Sequence, residues 1–238
     1  MSRVTPVRKQ YLDIKKQFPN AIVFFRLGDF YETFDADAEV AARELDIVLT
    51  SRNVAKDKRV PMAGVPHHAA DGYIARLIEK GYHVAICEQV AEEPINGLMP
   101  REVVRVVTPG TVTEPTLLPE KANNYLAALF PEYDEASCMQ RAGLAYVDIS
   151  TGEFAATQFE DGNVFEQVQQ ELVRLAPREV VLPESLSEVD LLPPGLERTH
   201  TTPLSDWRFE ESTASRALMD HFQTASLDGF GLAHLPLA

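Results

Sequence analysis

The feature that most constrains this chain is its alternation of short, β-rich apolar runs with segments of helical period, joined by short connections. Such a pattern folds as layers of helix on a mixed or parallel sheet. Ala21 to Leu27 (AIVFFRL) is the clearest strand, ended by Gly28-Asp29. Before it, Thr5-Pro6 reads as an N-cap with a first-turn proline, and Val7, Tyr11, Ile14 and Phe18 recur at helical spacing until Pro19. After it, a second helix is expected with Phe34, Ala38, Ala41 and Leu45 on one face. A strand over 46–51 and a polar, mostly basic connection from Asn53 to Arg59 follow. The stretch Pro61 to Pro66 reads as irregular, because two prolines bracket a glycine. Ala70 to Lys80 is a third helix closed by Gly81, and strands over 82–90 and 102–107 complete the module.

Pro109-Gly110 and the stretch 115–120 read as a boundary, giving expected domains 1–118 and 119–238. In the second, strands are expected over 124–130, 142–149 and 153–159, the last two joined by the hairpin signal Ser150-Thr151-Gly152. Val164, Phe165, Val168, Leu172 and Leu175 form an amphipathic helix before the strand Glu179 to Leu182, a βαβ crossover. A proline-rich stretch then leads to Trp207 and a helix carrying Ala214, Leu218 and Phe222. The fold class is therefore α/β in both halves. The apolar, uncapped run from Phe230 to Ala238 reads as a cut inside the second domain.

Charge separates the halves. Of the net −14 over 238 residues, residues 1–118 carry 15 basic against 16 acidic side chains, a balance of −1. Residues 119–238 carry 7 against 20, a balance of −13. The total argues against a general nucleic-acid coat, and only the first half is suited to lie near a phosphate backbone. The two cysteines, Cys87 and Cys138, sit in no paired motif, and neither a signal peptide nor a membrane-length apolar run is present, so a cytoplasmic protein without a membrane partner is expected. No phosphate-binding glycine loop, serine-hydrolase elbow, zinc-protease motif or CxxC occurs, so neither catalytic nor metal-ligating residues are assigned. His67 and His68 are adjacent, a spacing that does not ligate one metal from one helix face. Cys87 reads as a small buried hydrophobe.

The informative block is Phe24 to Glu32 (FFRLGDFYE), with Pro61 to His68 (PMAGVPHH), Cys87-Glu88-Gln89 and Val106 to Gly110 (VVTPG) behind it. Here the chain closely resembles the MutS family of bacterial DNA mismatch-repair sensors, collinearly from Thr5 to the last residue. The resemblance implies a mixed-sheet mismatch-recognition domain followed by an acidic connector domain of RNase H-like fold. It further implies that the lever, clamp and ATPase domains lie outside this chain. ATP and magnesium are thus expected for the full-length relative and no cofactor for this piece. A homodimer, mismatched double-stranded DNA, repair proteins docking on the connector and a place in the cytoplasm at the nucleoid complete the implied picture.

By position, the resemblance makes Phe30 the wedge aromatic and Glu32 the base-contacting glutamate. The physics suits those roles. Pushing a ring into the minor groove unstacks a base step at a cost of a few kcal/mol. Bending the duplex adds about 1–6 kcal/mol. A mispair has already lost part of its stacking, so deformability and not a base code supplies discrimination. A carboxylate beside phosphates is repelled, so Glu32 must gain from a specific hydrogen bond, accepting from a base N–H, or donating if burial keeps it protonated. On pattern alone, Phe30 is a core aromatic after a tight turn and Glu32 an acid in a helix's first turn. The resemblance reverses both. Tyr31, between them, is expected to pack inward, and Phe24 and Phe25 belong to the strand core.

Met62, in the expected irregular loop, suits an uneven groove surface or a loop anchor equally. Arg52, Lys56, Lys58 and Arg59 cluster within eight residues and are read as backbone contacts that fix register. Arg101 and Arg105 are secondary candidates. In the second domain Asp148 ends a strand where RNase H-like nucleases place a metal-binding aspartate. Metal-assisted cleavage needs converging carboxylates, so turn capping is the default for Asp148. Two rivals to mismatch recognition follow from these residues: an acidic adapter for a protein partner, working through the second domain, and an RNase H-like nuclease.

Overall fold

The computed structural model describes residues 5–238 except 56–57, 92, 96, 114–122, 137, 190 and 233. The chain divides into two compact units, Met1–Pro109 and Gly110–Ala238. Each is a mixed α/β layer structure, as the alternating pattern predicts.

The first unit opens with α1 (Pro6–Gln17), whose Thr5 hydroxyl caps the Arg8 N–H at 3.4 Å. β1 (Ala21–Leu27) then turns directly into β2 (Phe30–Phe34), which pairs with it antiparallel. Sequence alone suggests that Phe30 to Phe34 begins a helix, and the structure corrects this. The two-residue turn places Gly28 at φ +60°, where glycine is unstrained, and closes a tight hairpin. The helix α2 (Ala36–Leu45) starts only after Asp35. Propensity loses here to the strand pairing that β2 makes on both sides.

A second correction concerns Pro61 to Pro66. This stretch lies in a regular strand, β4 (Lys58–Pro66), between β2 and β3 (Thr50–Ala55). One proline ends the strand and the other sits where its pairing with β2 ends. Pro66 is the last residue of the strand. The Pro61 carbonyl accepts from the Asp35 N–H at 3.0 Å, so its missing N–H falls on the side where β2 has run out. After α3 (Ala70–Glu79), β5 (His83–Gln89) joins β1 in parallel and β6 (Arg101–Val107) closes the order β3-β4-β2-β1-β5-β6.

Strand alternation sorts the core into two layers. Val23, Phe25, Phe34, Val60, Ala85 and Cys87 meet Tyr11 and Ile14 of α1. Cys87 is thus the small hydrophobe its sequence suggests, and burial pushes its thiol up to about 12. Tyr11 stands edge-on to Phe25 and Phe34, and its hydroxyl donates to Asp37 at 3.1 Å. The buried Asp37 also receives Lys15 and the Val23 N–H, so α1, β1 and α2 share one polar anchor.

The second unit has the order β11-β10-β7-β8-β9, with β7 (Tyr125–Tyr133), β8 (Met139–Asp148) and β9 (Glu153–Phe159) as an antiparallel meander. The helix α4 (Val164–Leu175) carries the chain to β10 (Glu179–Pro183), parallel to β7. A meander followed by parallel strands on the side of its first strand is the RNase H-like arrangement. β11 (His200–Leu204) is not legible in the proline-rich sequence; it tolerates Pro203 because it is an edge strand, paired only with β10. Val164, Val168, Leu172 and Leu175 of α4 are buried on Ala127, Leu129, Leu144 and Val180. The final helix, α5 (Glu211–Phe222), buries none of its residues.

Candidate nucleic-acid interface

Strand period decides which side chains can act together. On β2, Phe30, Glu32 and Phe34 face one side and Tyr31 and Thr33 the other. Tyr31 packs inward as expected. Its ring lies 5.9 Å from Phe24, and its hydroxyl donates to Glu88. Burial first, and that bond second, push its phenol up to about 12. A strand whose inward tyrosine is clamped holds its neighbours Phe30 and Glu32 on the opposite face.

That face is shared along the register. Glu32 stands opposite Gly64, Phe34 opposite Met62 and Phe30 opposite Pro66. Arg52 stands opposite Val60 on the next hairpin and reaches the same face. The helix α1 covers only the part built on Phe25, Phe34 and Val60. At the open end, the Phe30 ring remains 46% exposed beside the turn. Next to it the carboxylate of Glu32 is paired with the guanidinium of Arg52. The side chains are unequally exposed, 17% for Glu32 and 43% for Arg52.

Gly64 makes this spacing workable. A Cβ there would lie 3.3 Å from the Tyr31 carbonyl oxygen, 3.6 Å from Glu32 Cγ and 3.8 Å from Phe30 Cδ1. A larger residue would crowd the Tyr31 carbonyl oxygen, while its contacts to Glu32 and Phe30 would be ordinary ones. The sequence offers a signal for it, a glycine inside a strand, but only once the strand itself is recognised.

The other sequence-derived residues fall as follows. Met62 lies on the same face as Glu32 and packs partly on the α1 core. Arg59 stands opposite Asn53, so it leaves its hairpin on the face opposite to Arg52. Lys58 belongs to the backbone of β4, and Lys56 lies outside the described residues. Arg101 is 8% exposed and committed to the fold: its Nε donates to the Arg26 carbonyl at 2.6 Å and its Nη1 to Gln10 at 3.2 Å, over the Phe25 ring. His67 and His68 are exposed with ring centroids 6.2 Å apart.

Asp148 is a turn cap in the second unit. One oxygen accepts from the Asn124 N–H at 3.1 Å, the other from the Ser150 N–H at 2.9 Å and hydroxyl at 2.6 Å. Burial alone would raise its pKa, but these hydrogen bonds outweigh it and hold the carboxyl below its ordinary value. Among the described residues, no group of three or more His, Cys, Asp or Glu is placed to hold a metal ion. Nor is any helix among them long and apolar enough to cross a membrane.

Two family models match successive parts of the chain. Residues 5–116 match the family described as MutS domain I, and residues 124–238 match MutS domain II. The chain is 52% identical over 239 residues to a DNA mismatch repair protein MutS of Dehalococcoides mccartyi strain CBDB1. It is 51% identical over 242 residues to that of Symbiobacterium thermophilum and 46% over 240 residues to that of Halothermothrix orenii. Each alignment takes in the whole of this chain but only 26–27% of the relative, so the chain spans about a quarter of the proteins it matches.

Proposed function

Because the chain belongs to the MutS family of DNA mismatch-repair proteins, we propose that its first unit senses mispaired or unpaired bases by inserting Phe30 into the minor groove. One observation supports this above others: a large aromatic ring left out of the core at a hairpin tip, on a face that also carries Glu32 and Arg52. An unstacking wedge must be solvent-facing and rigidly backed. Phe30 has the exposure, and the clamped Tyr31 beside it provides the backing. Glu32 then meets the displaced base, with Met62 on the same face beside it, while Lys56 and Lys58 are assigned to the backbone.

The second unit, whose residues 119–238 carry a balance of −13, is assigned as the connector that docks other repair proteins. Homodimerisation, ATP hydrolysis with Mg2+ and a place in the bacterial cytoplasm belong to the same proposal for the intact protein. This chain itself is proposed to act without catalysis.

The test is fluorescence anisotropy at low salt with a duplex carrying one unpaired thymine and its fully paired twin. Wild type is expected to prefer the defective duplex, and Phe30→Ala to bind both equally. Equal binding of the two duplexes by wild type would refute autonomous recognition by this unit.

A further inference from the structure

The sequence places Arg52 among four basic residues taken as phosphate contacts, but the geometry points to a different task. We infer that Arg52 is a positioning residue for Glu32, and through it a determinant of mismatch discrimination. This rests on the proposed reading role of Phe30 and Glu32. The observations are three. Arg52 shares the face of Glu32 across β4, and its guanidinium is paired with the Glu32 carboxylate. Arg59, from the same basic cluster, leaves on the other face, so the hairpin does not present its charges as one phosphate-binding surface. Gly64, directly beside Glu32 in the register, adds no side chain to that face.

The physical argument concerns a carboxylate that must approach a polyanion. Left alone, Glu32 would be repelled by phosphates and free to sample several rotamers. Paired with Arg52, it enters the groove as a neutral unit with its direction fixed. A planar guanidinium can hold a carboxylate by two parallel N–H donors and leave carboxylate lone pairs for a base N–H. A phosphate contact lacks this consequence: it strengthens binding to every duplex alike.

A double-mutant cycle separates the roles. Wild type, Arg52→Ala, Arg52→Lys, Glu32→Ala and the double alanine variant are compared for the ratio of affinities toward the unpaired-thymine duplex and its paired twin. Anisotropy at low salt is used, with titration of the 15N-labelled chain where affinity is too weak for it. Arg52→Ala is expected to lower the ratio by at least about threefold, with no further loss in the Glu32→Ala background. Arg52→Lys, which keeps the charge but not the fork, is expected to restore it only in part. Loss of affinity equally for both duplexes, with the ratio intact and the salt dependence reduced by about one ion, would make Arg52 an ordinary phosphate contact and overturn the inference. An additive cycle would do the same while leaving Phe30 as the wedge. If Phe30→Ala also leaves the ratio unchanged, it is the reading of the whole face that fails.

Discussion

Replacing Phe30 by alanine should cost the first unit little stability, and that expectation follows from where the ring sits. Full burial of a phenylalanine contributes about 1.5–3 kcal/mol, and removing one from a packed core costs about 3–5 kcal/mol once the cavity is included. Phe30 is 46% exposed at the open end of a sheet, so only about half of the transfer term is at stake and no sealed cavity is left. The expected loss is about 1 kcal/mol. Phe25 supplies the contrast. It is fully buried, edge-on to Tyr11 at 5.7 Å and beneath Arg101, so Phe25→Ala should cost the full 3–5 kcal/mol, as estimated for a core aromatic. For a domain of this size, about 4–8 °C of melting temperature accompanies each kcal/mol. Scanning calorimetry should thus show a small shift for Phe30→Ala and a collapse of the first transition for Phe25→Ala. The single tryptophan, Trp207, lies in the second unit, so its fluorescence provides an internal reference that neither substitution should move. If Phe30→Ala destabilises as much as Phe25→Ala, the ring is core and the wedge argument collapses.

Gly64→Ala should leave the fold intact yet weaken preference for the defective duplex, because the new methyl would lie 3.3 Å from the Tyr31 carbonyl oxygen and shift the strand that carries Phe30 and Glu32; the affinity ratio measures it, and an unchanged ratio would show that the close approach is immaterial. Asp148→Asn should destabilise the second unit by about 1–3 kcal/mol, since an amide cannot accept all three of the bonds the carboxylate takes; denaturation followed by Trp207 fluorescence reads this, and a neutral outcome would contradict the capping role. Alkaline pH should destabilise the first unit. The Tyr31 phenol and Cys87 thiol, ordinarily near 10 and 9, are both raised to about 12 in the fold, so their contribution is full below pH 9 and is lost as pH climbs toward 12. Tyr31→Phe should shallow that decline without abolishing it, and an identical pH profile would locate the sensitivity elsewhere.

Much of the architecture was legible from residue order. Thr5-Pro6 starts α1, the apolar run makes β1, the 3.6-residue period marks α3 and α4, and Ser150-Thr151-Gly152 turns a hairpin where it should. These are local effects, settled by capping, period and turn chemistry within a dozen residues. The misread segments share a different cause. Phe30 to Phe34 and Pro61 to Pro66 are strands because they pair with each other across the intervening α2 and β3, and β11 is a strand because β10 offers it an edge. No local propensity encodes that pairing.

The candidate site divides along the same line. The linear block around Phe30 and Glu32 named its two principal residues from sequence, and Tyr31 was expected to turn inward. That Arg52 joins Glu32 while Arg59 departs on the other face, that Gly64 supplies the clearance, and that Arg101 is consumed by packing on Phe25 all depend on cross-strand register. The sequence by itself determined the elements set by local capping, period and turn chemistry, and the side-chain chemistry available to all of them. Only the tertiary structure decided which side chains share a face, because a strand's two faces alternate residue by residue and a shift of one position exchanges them.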